Sequence, residues 1–278
     1  MNDLFRYDGK RALLVGCATG MGAAAAKAVQ ALGGEVHGID YKTPDYELDS
    51  FRTCDLRDEA QIDEALASLE GPFHAVFYCA GLPTTSTPLD IMKVNIIALR
   101  KVVTGVHSLI PRGGAVGIIA STGGLRFMEN MADCNELLAT DGYEAAVAWT
   151  EAHPDKVNEG YGFSKEAAIV FTMNHALDVV GDGVRVNCIS PGATDTPMMP
   201  EFEKTTPKEM IKAFYGPLDR PATPEEQGWP LVFLNSDAAS FITGLNLIID
   251  GGFVAGMMTG KIDLDEIFAQ MAEVQPTN

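Results

Sequence analysis

Positive charge is scarce in this chain. Across 278 residues, 20 Lys and Arg stand against 38 Asp and Glu, a net charge of −18. So acidic a surface repels nucleic acid and anionic membrane, and neither is expected as a partner. Cysteine is sparse too. The five thiols at Cys17, Cys54, Cys79, Cys134 and Cys188 are scattered, odd in number and never spaced Cys-x-x-Cys. A disulfide framework and a thiolate zinc site are both excluded on that pattern, and a reducing, cytoplasmic setting is expected. His37, His74, His107, His153 and His175 lack ligand spacing, so no metal is expected. No apolar run reaches the about 18 residues of a membrane span. Residues Met1–Asp8 carry acids and no apolar core, and we read no export signal there. No Pro-, Gly- or Ser-rich linker and no repeat divides the chain. We therefore read residues 1–278 as one domain.

Apolar residues, by contrast, make up 46% of the chain, enough for a large core and too many for disorder. They fall in short runs. Arg11–Val15, Glu35–Ile39, His74–Tyr78, Ala115–Ala120, Val184–Ile189 and Asn246–Ile249 read as strands. Between them, Gly22–Leu32, Asp58–Leu69, Leu89–Leu109 and a stretch from Tyr161 to about Val180 read as helices. Strands that are apolar throughout, each followed by a helix, imply a parallel sheet covered on both faces. That is a doubly wound, Rossmann-type α/β fold. Two stretches interrupt the alternation. Residues 126–159 are polar and helical in composition, and their apolar members (Phe127, Met131, Leu137, Leu138, Tyr143, Val147, Trp149) need burial. Residues 195–222 are rich in Pro, Met and aromatics. Excursions this long in a compact domain usually carry function or move.

The first predicted strand runs into Gly16-Cys17-Ala18-Thr19-Gly20-Met21-Gly22 and then a helix. Glycines there allow a tight turn and close backbone approach. The helix start offers unpaired N–H groups and positive dipole to a pyrophosphate. Asp40 follows the second predicted strand, 24 residues after Gly16. A carboxylate at that point accepts hydrogen bonds from adenosine ribose hydroxyls and repels a 2′-phosphate, so NAD is expected over NADP. Lys42, two residues on, works against that preference.

The run Tyr161-Gly-Phe-Ser-Lys165 puts a phenol and an amine four positions apart, on one helix face. A free phenol, with a pKa of about 10, exchanges protons poorly at neutral pH. A neighbouring ammonium stabilises the phenolate and suits it to acid–base work. Such a pair is common in helices and informative only with its context.

That context resembles the short-chain dehydrogenase/reductase family, from Arg11 to about Phe253. Gly16, Gly20 and Gly22 match its glycine motif, with Val15 where a threonine is usual. Cys54-Asp55-Leu56 resembles the segment that sets an aspartate against adenine. Tyr78-Cys79-Ala80-Gly81 matches the pattern Asn-Asn-Ala-Gly with both asparagines replaced. Asn95, Ser121, Tyr161 and Lys165 match the catalytic tetrad. Asn187–Gly192, followed by Thr194 and Thr196, resembles the nicotinamide-side loop, and Ile249-Asp-Gly-Gly252 the end of the last strand. The resemblance implies hydride transfer between a nicotinamide and an alcohol or carbonyl carbon. Ser121 orients the substrate oxygen and Tyr161 moves its proton. Lys165 lowers the phenol pKa and binds the nicotinamide ribose, and the Asn95 backbone carbonyl links Lys165 to solvent through water. The implied cofactor contacts are Gly16, Thr19, Gly20, Met21, Gly22, Asp40, Asp55, Leu56, Ala80, Gly81, Tyr161, Lys165, Pro191, Gly192, Thr194 and Thr196.

Ser121 and Tyr161 lie 40 residues apart, much further than in most members, because of residues 126–159. This insertion, the glycine turn and the run Ile189–Pro197 resemble the bacterial 3α-hydroxysteroid dehydrogenase/carbonyl reductase branch, with coniferyl-alcohol-type aryl dehydrogenases nearby. The implied substrate is a bulky hydrophobic alcohol or ketone, steroid-like in the first reading and aryl in the second. Met198 and Met199 would join Ser121 and Tyr161 around it, under an apolar lid. A nucleotide-binding regulator without turnover is the reading from another class, and the intact tetrad argues against it. A homodimer or homotetramer is expected, with the insertion capping the substrate entrance or reshaping the subunit contact.

Overall fold

The described residues form a single sheet of seven strands: β1 (Arg11–Val15), β2 (Glu35–Asp40), β3 (Ser50–Thr53), β4 (Ala75–Tyr78), β5 (Ala115–Ile119), β6 (Arg185–Pro191) and β7 (Asn246–Ile249). All neighbours are parallel, in the order β3-β2-β1-β4-β5-β6-β7. The structure, a computed structural model, describes residues 3–263; the remaining ends of the span read as one domain lie outside them. The helices in chain order are α1 (Gly20–Ala31), α2 (Glu59–Ala67), α3 (Pro88–Met92), α4 (Ala98–Gly105), α5 (Met131–Leu138), α6 (Gly142–Ala152), α7 (Pro154–Val157), α8 (Tyr161–Val179), α9 (Met199–Thr205), α10 (Lys208–Ala213), α11 (Pro224–Asn235) and α12 (Phe253–Met258).

Side chains alternate across a strand, so each buried strand feeds two cores. Leu13, Val15, Val76 and Tyr78 face the core built with α2, α4 and α8. Ala12, Leu14, Ala75 and Phe77 face the core built with α1 and α11. This two-sided burial is why the strands read as unbroken apolar runs.

Three boundaries differ from the sequence reading. Strand β3, Ser-Phe-Arg-Thr, carries no apolar run, because it lies on the sheet edge with only Phe51 half-buried. Asp58 stands before α2 rather than inside it, and its carboxylate accepts from the Ala60 and Gln61 N–H groups, a cap worth about 1 kcal/mol. The single helix read over 89–109 is instead α3, a π-turn over Lys93–Ile97, α4 and a 3₁₀ turn over His107–Leu109.

The insertion forms α5 to α7 and lies across α4 and α8. Arg100 of α4 donates to the carbonyls of Leu137, Leu138 and Gly142. The Tyr143 hydroxyl donates to the carbonyls of Leu56 and Arg57. Asn130 donates to Glu166 of α8 at 2.7 Å. Leu137, Tyr143 and Trp149 are buried, each worth roughly 2 kcal/mol. Among the described residues no helix is long and apolar enough to cross a membrane.

Strand order reverses between β1 and β4, since the chain builds outward from β1 on one side and from β4 on the other. In such sheets ligands bind in the crevice at the carboxyl ends of the strands at this reversal. The glycine turn after β1 and Ala80-Gly81 after β4 both lie there.

Candidate active site

The turn after β1 touches the end of β4. Gly16 has φ +84°, and a Cβ there would overlap the Ala80 backbone, just as one at Gly22 would overlap the Gly16 carbonyl. Only glycine lets the two strand ends meet. The first turn of α1 contains no acid, and Thr19 gives it no side-chain cap, so its N–H groups remain open to an anion. Asp40 ends β2 and is 8% exposed. Its carboxylate accepts from Ala18 N–H at 2.8 Å and Lys42 N–H at 2.9 Å. It therefore braces the glycine turn as well as facing the groove, a second role that the sequence does not announce.

The groove holds about 450 Å³, within the range of ligand sites. Gly16, Thr19, Gly20, Met21, Gly22, Asp40, Asp55, Leu56, Ala80, Gly81, Thr196 and Met198 line it. Open helix N–H groups, a glycine cradle and a fixed carboxylate fit a dinucleotide. Other expected contacts fall elsewhere. Gly192 packs against Asp250, and the Thr194 hydroxyl donates to the Gly192 carbonyl at 3.0 Å. Pro191, Gly192, Thr194 and Met199 are not among the lining residues, and neither are Ser121, Tyr161 and Lys165. Asp55 lines the groove but pairs with Arg57 at 2.6 Å, and that guanidinium holds its carboxyl below the usual range.

Ser121 follows β5. Its Oγ accepts from Gly123 N–H at 3.0 Å, and the Ser121 Oγ and the Tyr161 ring both border the space beside Gly123. The Thr122 hydroxyl turns away and donates to the Pro191 carbonyl at 3.1 Å, so Ser121 is the hydroxyl at the site. The turn Thr122–Gly124 lies flush on α8. A Cβ at Gly124 would come 2.6 Å from the Lys165 carbonyl carbon, and its absence lets β5 deliver Ser121 to Tyr161.

Tyr161 opens α8, and Lys165 follows one turn on. Lys165 Nζ lies 5.8 Å from the Tyr161 ring centroid and donates to the Ile119 carbonyl at 3.0 Å. Burial pushes this ammonium down to about 8. Burial also pushes the Tyr161 phenol up, against the opposing pull of the Ser121 hydrogen bond. The expectation that Lys165 holds the phenol below its ordinary value is not met here: burial sets the direction of the shift, and Lys165 is not among the groups that move it. Asn95 is buried. Its Oδ1 accepts from Leu82 N–H at 2.7 Å, and its Nδ2 donates to Ser164 Oγ at 3.1 Å. A Cβ at position 81 would sit 3.5 Å from Asn95 Oδ1 and 3.6 Å from Lys165 Nζ. The side chain is engaged, which leaves the backbone for the role expected of Asn95.

Phe202 of α9 was visible in the sequence only as one aromatic in an apolar stretch. Its ring meets Tyr161 edge-on, 5.2 Å between centroids. The same helix is tied to the loop after β4: Thr85 donates to Glu201 at 3.0 Å, and Thr84 and Thr205 share a 2.8 Å bond.

The chain is similar to several known proteins. A family model described as enoyl-(acyl carrier protein) reductase matches residues 144–254, and one described as the NAD dependent epimerase/dehydratase family matches residues 12–178. A 3-alpha-hydroxysteroid dehydrogenase/carbonyl reductase of Comamonas testosteroni is 32% identical over 253 residues, spanning 88% of this chain and 96% of its own. A coniferyl-alcohol dehydrogenase of a Pseudomonas species (strain HR199) is 29% identical over 247 residues, spanning 88% and 97%. The crystal structure of the 3-alpha-hydroxysteroid dehydrogenase from Pseudomonas sp. B-0831, complexed with NADH, superposes with a TM-score of 0.77 at 26% identity, covering 91% of this chain and 99% of its own.

Proposed function

The chain belongs to the short-chain dehydrogenase/reductase family and is an oxidoreductase acting on CH–OH groups, and from that premise we propose an NAD(H)-dependent enzyme that interconverts a bulky hydrophobic alcohol and its carbonyl. The observation that carries the reading is the approach of Ser121 and Tyr161 to one another beside a buried Lys165, whose amine lies against Gly81 in the wall of a groove fit for a dinucleotide. When bound, NAD supplies the hydride acceptor for oxidation, and its reduced form the donor for reduction. The N–H groups of the glycine turn and of α1 would hold the pyrophosphate, Asp40 the adenosine ribose hydroxyls and Lys165 the nicotinamide ribose. The charge on Asp40 favours NAD over its 2′-phosphorylated form.

Ser121 donates a hydrogen bond to the substrate oxygen and fixes its place beside Tyr161. Tyr161 takes the alcohol proton in oxidation and returns one to the carbonyl in reduction, a role worth roughly 10²–10⁴-fold. The Lys165 ammonium stabilises the phenolate that forms. The Asn95 carbonyl, through water, lets the proton leave toward solvent.

Met198 and Phe202 give the substrate end an apolar roof, with Met199 in the same helix. A steroid-like fused-ring substrate fits this roof and the Comamonas relative. An aryl alcohol is the second reading, favoured by the Phe202 ring beside Tyr161 and by the coniferyl-alcohol relative. The described residues read as one catalytic domain of a cytoplasmic homodimer or homotetramer. With the insertion on α4 and α8, the β7 edge, unpaired among the described residues, and α11, exposing Ile248 and Trp229 with Phe241 in the loop between them, are left for the subunit contact.

The test is to mix the protein with NAD or NADP and a panel of fused-ring, aryl and short-chain alcohols while following reduced-nicotinamide absorbance. The reading expects turnover with NAD, strongest on the fused-ring alcohols. Silence across the panel with NAD binding intact would overturn it.

A further inference from the structure

The helix that carries Asn95 is not regular. Over Lys93–Ile97 it opens into a π-turn, and the Ala98 N–H donates to the Lys93 carbonyl, five residues back. In an α-helix that N–H would serve Val94. The Val94 carbonyl therefore loses its ordinary donor at a position only 6% exposed, and an unpaired carbonyl there would be costly. Tyr78 meets it. Fully buried at the end of β4, its hydroxyl donates to the Val94 carbonyl at 2.6 Å. Tyr78 occupies a motif position where the family pattern has asparagine, so this bond from sheet to helix is one that the pattern does not provide.

We propose that Tyr78 is a positioning residue for the proton relay: its hydroxyl, bonded to the carbonyl that the π-turn releases, holds that turn open and so fixes Asn95 against Leu82, Ser164 and the Lys165 end of the site. The assignment rests on the reading of Asn95 given above. If the bond were lost, the carbonyl would regain a partner by tightening of the turn into α-helix. Removing one residue from a helical turn rotates its neighbours by roughly 100° about the axis. Asn95 could not then keep its three bonds to Leu82 and Ser164. Tyr78 itself exchanges no proton in this account. It touches none of the reacting groups, and burial raises its phenol far above the ordinary value.

Tyr78→Phe removes one hydroxyl and keeps the ring. The expected result is a fall in kcat of about tenfold, the scale of a modest misplacement, with KM and NAD affinity within about twofold of the parent and an altered pH profile of kcat. Asn95→Ala, measured in parallel, should show the same split, and the double variant should be no slower than Asn95→Ala alone, because the two act through one element. A Tyr78→Phe enzyme with a lower melting temperature but parental kcat and pH profile would overturn the proposal, as would additive losses in the double variant. If Asn95→Ala itself left kcat and its pH profile unchanged, the claim that its side-chain bonds place the relay carbonyl would fall, and the role of Tyr78 with it. Slowing by Asn95→Ala alone would overturn only the assignment of Tyr78.

Discussion

Replacing Lys165 by Met should make the nucleotide-free protein more stable and catalytically dead. The ammonium is 4% exposed, and burial takes it from its ordinary 10.5 to about 8. At 1.36 kcal/mol per unit, keeping that charge inside costs the fold about 3 kcal/mol. Methionine matches the volume and removes the charge, but leaves the Ile119 carbonyl without the donor it has at 3.0 Å, a loss of about 1 kcal/mol. The net gain at pH 7 is about 2 kcal/mol. Its pH dependence is distinctive. Between pH of about 8 and 10.4 the unfolded chain keeps the lysine proton that the folded protein has shed, so parental stability rises with pH across that window. The variant has no such group, and its advantage should be full below pH 8 and gone near pH 10. Urea unfolding of both proteins at pH 7 and pH 10 measures this directly. A variant no more stable than the parent at pH 7, or an advantage independent of pH, would refute the reasoning. Retention of so expensive a charge is the usual signature of function over stability.

Other substitutions probe the remaining parts. Asp40→Asn removes the charge and keeps only one of the two backbone bonds, because the amide nitrogen cannot accept; the NADP-to-NAD ratio of kcat/KM should rise about tenfold, or about 1.4 kcal/mol. Gly124→Ala forces a methyl against the α8 backbone and should cost about 1–3 kcal/mol in urea unfolding, with kcat reduced as Ser121 is pushed from Tyr161. Phe202→Ala removes the aromatic wall beside Tyr161 and should raise KM for fused-ring alcohols about tenfold, while short-chain alcohols, which do not reach it, keep their KM.

The parts of the molecule legible in the sequence are those where one physical requirement acts on a run of residues. Burial on both faces writes β1, β4, β5 and β6 as apolar runs, and close backbone contact writes Gly16 and Gly22. Strand β3 escaped because an edge strand needs no apolar run. The π-turn at Lys93–Ile97 escaped because no residue type marks it; its support, Tyr78, lies 16 residues upstream in another element. Thr196 and Met198 reach the groove, whereas the Pro191 carbonyl accepts from Thr122, Gly192 packs on Asp250 and the Thr194 hydroxyl turns back to the Gly192 carbonyl. That distinction depends on rotamer and backbone course, which spacing along the chain does not encode. The same holds for Phe202, placed by a helix whose anchors, Thr84 and Thr85, are distant in sequence.

The central claim is that the Tyr161 phenol carries the proton, and Tyr161→Phe isolates that one atom. With NAD and a fused-ring alcohol, turnover should fall by about 10³-fold while NADH affinity, measured by fluorescence titration, stays within about twofold. Turnover within about tenfold of the parent, or loss of nucleotide binding along with turnover, would contradict the account.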